Sequence, residues 1–263
     1  MNPAPEPPRR TIILLGASNL ARAFPKLPDL LRGGLGTPLD LVVAMGHGRA
    51  YGSWSRFAGR ALPGILDCGL WQHLAERSGQ TPPLAVIADL GNDLVYGISA
   101  ETLLDGLETL LRRLRHRGSD SVLMSLPMAS LARLTPLRFE LARRLLFPGH
   151  PAEWSGLQNE IARLDAGMRA LRQRYRTGWV ETPPDWYGWD PIHIRRCRQA
   201  EAWTRAFGQW QPWRDGPVAA PALRWRERLT LRCLRPAERI WLGQRQLTPQ
   251  PVRNADDYRL YLY

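Results

Sequence analysis

The chain has 263 residues, 44% of them hydrophobic, enough for one large core or a core plus a small second unit. No apolar run approaches the ~20 residues a membrane span needs, and Cys68, Cys197 and Cys233 lie too far apart for a disulfide framework or a metal-type spacing. The formal charge of +12 invites a nucleic-acid partner, but the arginines are spread along the whole sequence. Their densest run, 111–118, closes an expected helix, where cations complement the helix dipole. Nucleic acid is therefore not the expected partner, and solvated helix faces account for the charge.

In chain order, residues 1–10 carry four prolines and read as a disordered tail. The next stretch imitates an export signal: Arg9-Arg10, then Ile12–Leu15, then Ala21-Arg22-Ala23. Its apolar run is shorter than the ~7–15 residues of such a signal, and the polar pair Ser18-Asn19 prevents its extension. A cytoplasmic location is the expectation. Short apolar runs at 11–15, 39–45, 84–89, 121–126 and 178–181 alternate with helical patterns near 20–32, 56–78, 100–117, 130–146, 156–175 and 194–210. The first three runs are continuously apolar around their centres, as strands covered on both faces should be. The alternation predicts a three-layer α/β/α sandwich over 11–215, with a five-stranded parallel sheet in the flavodoxin-like order 2-1-3-4-5. Beyond residue 215, "ALRWRERLTLRCL" (222–234) alternates apolar residues with arginine, and 239–247 and 258–263 also look like strands. A small antiparallel β appendage is expected over 216–263.

Polar residues crowd the loops after these strands: Gly16-Ala17-Ser18-Asn19, then "GHGRAYG" (46–52), "LGNDLVYG" (90–97) and "DWYGWDPIHIRR" (185–196). Ligands of open parallel sheets bind outside the carboxyl ends of the strands, so these loops can converge on one site. Ser18 reads either as a helix cap or as a nucleophile. A serine nucleophile needs a base, which His193 can supply, and the base needs a carboxylate to fix its tautomer. Asp190 stands three residues before His193, a spacing that favours it over Asp185. Donors for a developing oxyanion are the Ser18 backbone N–H, a glycine N–H of the 46–52 loop and the Asn92 amide. Asn19, Arg49, Tyr51 and Trp189 are candidate substrate contacts, although Arg49 and Tyr51 can equally be structural and the loop aromatics can simply pack.

These residues resemble the SGNH hydrolases, the GDSL-like esterases and lipases. Ser18 matches the nucleophile of the first block, Gly48 best matches the oxyanion glycine of the second, Asn92 matches the third, and Asp190 with His193 match the D-x-x-H pair. The resemblance covers roughly 11–210. It departs at Ala17, where the family has aspartate, and at Leu90, where it has glycine. The asparagine that precedes the family's second-block glycines is missing too, which leaves Gly46 and Gly52 as alternatives to Gly48. The resemblance implies an ester hydrolase that needs no metal or organic cofactor. Its substrate class is a small-molecule or carbohydrate ester, with carbohydrate O-acetyl groups among the candidates. A thioesterase or acyltransferase would use the same residues, and a catalytically inactive scaffold binding an anionic polymer is the alternative from another class.

Overall fold

The computed structural model describes residues 8–77, 81–146, 154–213 and 223–263. Eleven strands are formed among them: β1 (Arg10–Leu15), β2 (Leu39–Ala44), β3 (Ser55–Phe57), β4 (Arg60–Leu62), β5 (Leu84–Ile87), β6 (Asp120–Met124), β7 (Gly178–Val180), β8 (Glu238–Trp241), β9 (Gln244–Leu247), β10 (Arg253–Asn254) and β11 (Tyr258–Leu262). The helices are α1 (Ser18–Ala23), α2 (Leu27–Leu35), α3 (Leu70–Glu76), α4 (Asn92–Val95), α5 (Ala100–His116), α6 (Met128–Leu131), α7 (Pro136–Leu146), α8 (Trp154–Tyr175), α9 (Gln199–Phe207) and α10 (Trp225–Cys233).

The main sheet has seven strands, in the order β10-β11-β2-β1-β5-β6-β7, rather than the expected five. All its pairings are parallel except β10 with β11. The continuous apolar runs explain its position. In β1 successive side chains point to opposite faces, and all four of Ile12 to Leu15 are 0% exposed. Ile13 and Leu15 join a core with Leu103, Leu107 and Leu110 of α5 and Leu164 and Met168 of α8. Ile12 and Leu14 join another with Leu20, Phe24, Leu31 and, from α9, Trp203 and Phe207. Helices thus cover both faces, and each fully buried aliphatic contributes roughly 1.5–3 kcal/mol. Leu15 is level with Ala44 on one side and Ile87 on the other, so the segments after β1, β2 and β5 leave the sheet at the same edge.

Three expectations need correction. The helix expected over 56–78 is a hairpin, β3–β4, followed by the short α3. Ala58 and Gly59 both have positive φ, 48° and 75°, which turns the chain back on itself before any helix can start. Residues 223–234 form no strand, and 216–222 of the expected appendage lie outside the described residues: Trp225–Cys233 is helical, and the Arg224 N–H donates to the Glu227 carboxylate at 2.8 Å. Only Leu231 of that helix is buried, so the apolar/arginine alternation carried little information about which side faces the core. Nor is the C-terminal segment an antiparallel appendage. β8 and β9 extend the β3–β4 hairpin into a four-stranded sheet, whereas β11 runs parallel to β2 in the main sheet. There Tyr258 and Leu260 are fully buried, and the strand covers an edge of β2 that would otherwise present unpaired N–H and C=O groups. Residues 1–7 of the expected tail lie outside the described residues, and Arg10 already belongs to β1.

Candidate active site

The turn from β1 into α1 is held by a residue that no sequence motif singles out. The Asp89 carboxylate, just after β5, accepts hydrogen bonds from the N–H groups of Ala17 (2.8 Å), Asn19 (3.1 Å) and Leu20 (3.3 Å), and from the Asn19 amide (2.7 Å). A carboxylate at a helix N-terminus satisfies orphan donors and complements the dipole. Asp89 itself sits at φ 64°, a left-handed conformation that an aspartate tolerates better than most residues. Gly16 lets the two segments approach: a Cβ there would lie 3.3 Å from the Asp89 carboxylate and 3.1 Å from Leu20 Cβ. The backbone donors of the serine turn are thus capped by an acid from the segment after β5. An acid closing the apolar run "LAVIAD", next to Gly91-Asn92-Asp93, was the available signal. Among the described residues the Ser18 N–H has no protein acceptor, and the Ser18 side chain forms no cap.

The Ser18 hydroxyl instead meets the loop after β7. His193 Nε2 lies 2.8 Å from Ser18 Oγ, and His193 Nδ1 lies 2.6 Å from Asp190 Oδ2. The other Asp190 oxygen accepts from the backbone N–H groups of Ile192 (3.2 Å) and His193 (3.1 Å). Burial raises the Asp190 carboxyl, but the hydrogen bond and charge of His193, with the two backbone donors, outweigh it and hold the group below its ordinary value. Asp190 therefore stays ionised near neutrality. The competing Asp185 is paired with Arg198 at 2.9 Å.

Asn19, expected to touch substrate, is consumed within the protein. Its amide nitrogen donates to Asp89 and to the Ile192 carbonyl (2.9 Å), and its oxygen accepts from the Ile194 N–H at 2.8 Å. It clamps the histidine loop onto the serine turn. Arg49 and Tyr51 also need correction, being 0% and 2% exposed respectively. Arg49 donates to the carbonyls of Pro63 (3.0 Å) and Tyr263, and the Tyr51 hydroxyl to that of Ala88. Both stand in a loop, where surface exposure is the ordinary expectation, whereas the segment after β4 and Tyr263 enclose this one. Trp189 is exposed, and its carbonyl accepts from Arg138 at 2.7 Å.

Gly48 and Asn92 border the same cavity of about 560 Å³ as Ser18 and His193. Gly48 has φ 66°, and a Cβ would meet Tyr96 Oη at 3.1 Å and Phe57 at 3.2 Å, so glycine is required. The Gly48 carbonyl accepts from the Tyr96 hydroxyl at 2.9 Å, and Asp93 accepts from the Tyr51 N–H at 2.8 Å, tying the 46–52 loop to the segment of Asn92. Gly46 borders the cavity as well, whereas Gly52 does not. His47, also at this cavity, is held below its ordinary value by the atoms packed around it and then by the charges of Arg60, His193 and Arg22.

Asp93 is fully buried, and burial raises its carboxyl to about 6 against the pull of the Tyr51 and Gly52 N–H donors. A folded value above the unfolded one means that the folded state binds the proton more tightly. That stabilisation is complete below the ordinary 3.8 and is lost as pH rises through about 6. Urea unfolding between pH 4 and 7 is expected to show the parent losing up to ~3 kcal/mol relative to Asp93→Asn across that interval; parallel profiles would remove the assignment.

No family model matches the chain, and no curated protein matches it either. Among solved structures the chain is similar to TesA, with 18% identity over 77% of this chain and 99% of that one and a TM-score of 0.46. It is similar to the psychrotrophic esterase EstA from Pseudoalteromonas sp., with 14% identity over 76% and 98% and a TM-score of 0.44. A third is AlinE4, a SGNH-hydrolase family esterase, with 20% identity over 77% and 94% and a TM-score of 0.43. Among the described residues no helix is long and apolar enough to cross a membrane, and no group of three His, Cys, Asp or Glu is placed to hold a metal ion.

Proposed function

We propose that this chain is a serine ester hydrolase in which Ser18 is the nucleophile, His193 the general base and Asp190 the group that orients the base. One observation carries the reading: the Asp190–His193–Ser18 hydrogen-bond relay, 2.6 and 2.8 Å, joins a serine turn after the first strand to a loop after the fifth predicted one. A hydroxyl is a weak nucleophile until its proton has somewhere to go. His193 Nε2 takes that proton as Ser18 Oγ attacks the ester carbonyl, and the Asp190 carboxylate stabilises the imidazolium that forms. The Ser18 and Gly48 N–H groups and the Asn92 amide receive the oxyanion. Collapse of the tetrahedral adduct expels the alcohol, which takes the proton back from His193. Water, deprotonated by the same imidazole, then releases the acyl group from Ser18. An alcohol in place of water gives acyl transfer with the same residues. Carbohydrate O-acetyl esters are the substrate class proposed, with exposed Trp189 as a surface for a sugar ring.

A fluorophosphonate probe tests this directly. The parent is expected to be labelled at Ser18, identified by mass spectrometry of the adduct, and Ser18→Ala to remain unlabelled. Labelling of Ser18→Ala to the same extent overturns the assignment.

A further inference from the structure

Cations gather beside Ser18 without a matching carboxylate in the cavity lining among the described residues. The cavity of about 560 Å³ is lined by Arg22, Lys26, Arg60, Arg196 and Arg232, and no carboxylate lines it among the described residues. These five come from separate places: the end of α1, the turn after it, the β3–β4 hairpin, the segment after His193, and α10. Elsewhere, among the described residues, ion pairs neutralise a number of arginines where they stand. Arg143 and Arg144 share Glu140, Arg169 meets Asp165 and Glu181, Arg174 meets Glu108, and Arg205 meets Glu201. Within the cavity only Arg22 has a carboxylate partner among the described residues, Asp190 at 3.9 Å. Positive charge is thus left largely unpaired at the cavity where the chemistry is proposed to occur.

Gathering like charges in a concave site costs energy, and the groups present feel it. His47, at the cavity, is lowered first by burial and then by the charges of Arg60, His193 and Arg22. A bound anion relieves that repulsion, and a cleft walled by one sign of charge draws the opposite sign in. Asn92 also borders a second, mostly apolar cavity of about 100 Å³, lined among others by Val95, Met124, Leu126, Phe139 and Ile161. It has room for a short acyl chain, and Arg143, which lines it, is already paired with Glu140 at 2.7 Å. The two halves of an ester held at Asn92 therefore meet different surroundings.

We propose that the ester taken at this site carries an anionic oxygen group, carboxylate or phosphate, on its alcohol half, which lies in the groove of Arg60, Arg196 and Arg232. This deepens the hydrolase reading and rests on it. The probes are 4-acetoxybenzoate, 4-acetoxyphenyl phosphate and the neutral methyl 4-acetoxybenzoate, with kcat/KM of each normalised to its alkaline hydrolysis rate. For the parent at low ionic strength, the anionic esters are expected to exceed the neutral one by roughly tenfold or more, the gap closing at about 0.5 M salt. The combined variant Arg60→Gln, Arg196→Gln, Arg232→Gln is expected to lose that advantage while hydrolysing the neutral ester at the parental rate, which also shows that it is folded. The larger of the two anionic rates identifies carboxylate or phosphate as the group preferred. Equal normalised rates for all three esters, indifferent to salt and to the variant, overturn the proposal. Failure of the hydrolase reading looks different: no ester is turned over and Ser18 takes no fluorophosphonate. Calorimetry with 4-hydroxyphenyl phosphate then still decides the groove. Binding to the parent that is lost in the variant upholds it, and absence of binding overturns it.

Discussion

His193→Ala is expected to lower kcat on a hydrolysed ester by on the order of 10⁶-fold, and adding Ser18→Ala is expected to cost almost nothing more. The reason lies in the relay. Ser18 Oγ is an ordinary alcohol unless the imidazole 2.8 Å away accepts its proton, and the imidazole has no work if the hydroxyl is gone. Groups that act as a unit are lost as a unit, so the effects of the two substitutions cannot multiply. Asp190→Asn is expected to retain more, losing about 10⁴-fold, because an amide at 2.6 Å from His193 Nδ1 favours the wrong imidazole tautomer while leaving the backbone contacts to Ile192 and His193 in reach. Steady-state kinetics of the two single variants and the double variant settle the matter. If the double variant loses the product of the two single effects, Ser18 and His193 act independently and the mechanism is wrong.

Asp89→Ala is expected to have the next largest effect, although Asp89 touches no reacting atom. Its carboxylate takes three backbone N–H groups and the Asn19 amide, and all four donors lose their acceptor together. Losing a charged cap of this kind costs about 3 kcal/mol, since hydrogen bonds to charged groups contribute more than neutral ones. For a chain of this size that corresponds to a fall in Tm of roughly 6–12 °C. The turn that aims Ser18 loosens as well, and a displacement near 1 Å costs about 10²-fold in kcat. Asp89 is thus a positioning residue, and the distinction can be measured. kcat and the rate of fluorophosphonate labelling are expected to fall together with KM nearly unchanged, and Asp89→Asn, which keeps one acceptor oxygen, is expected to recover part of both. Unchanged labelling in Asp89→Ala would reduce the residue to a stabilising cap.

How far the sequence could be read depended on what each segment had to bury. The runs 11–15, 39–45 and 84–89 fall on β1, β2 and β5 to within two residues because a strand covered on both faces leaves an uninterrupted apolar signature. Ser18, Asn92, Asp190 and His193 stood out because each comes after such a run or carries a spacing that chemistry uses. The failures came where tertiary contacts override local pattern. "ALRWRERLTLRCL" alternates like a strand but is almost wholly solvated, so nothing enforced the alternation, and arginine, leucine and glutamate form a helix readily. Arg49 and Tyr51 look like surface ligands until the segment after β4 and, 214 residues beyond Arg49, the end of the chain at Tyr263 pack over them. Asp89 escaped notice because its task is defined by donors some 70 residues earlier.

The anchoring of Arg49 on the Tyr263 carbonyl has a kinetic consequence. The loop that carries Gly48 rests on a guanidinium that donates to Pro63 and to Tyr263, and the second acceptor arrives only when β11 has paired with β2, a contact between segments far apart in the chain. Contacts of that kind form late, because a long loop must be closed before they repay its entropy. A nascent chain can therefore have built β1, β2 and β5, with Ser18 already at their edge, and still lack a settled Gly48 loop. On the proposed reading, hydrolysis is the last property to appear during refolding, and its onset times the docking of a single strand.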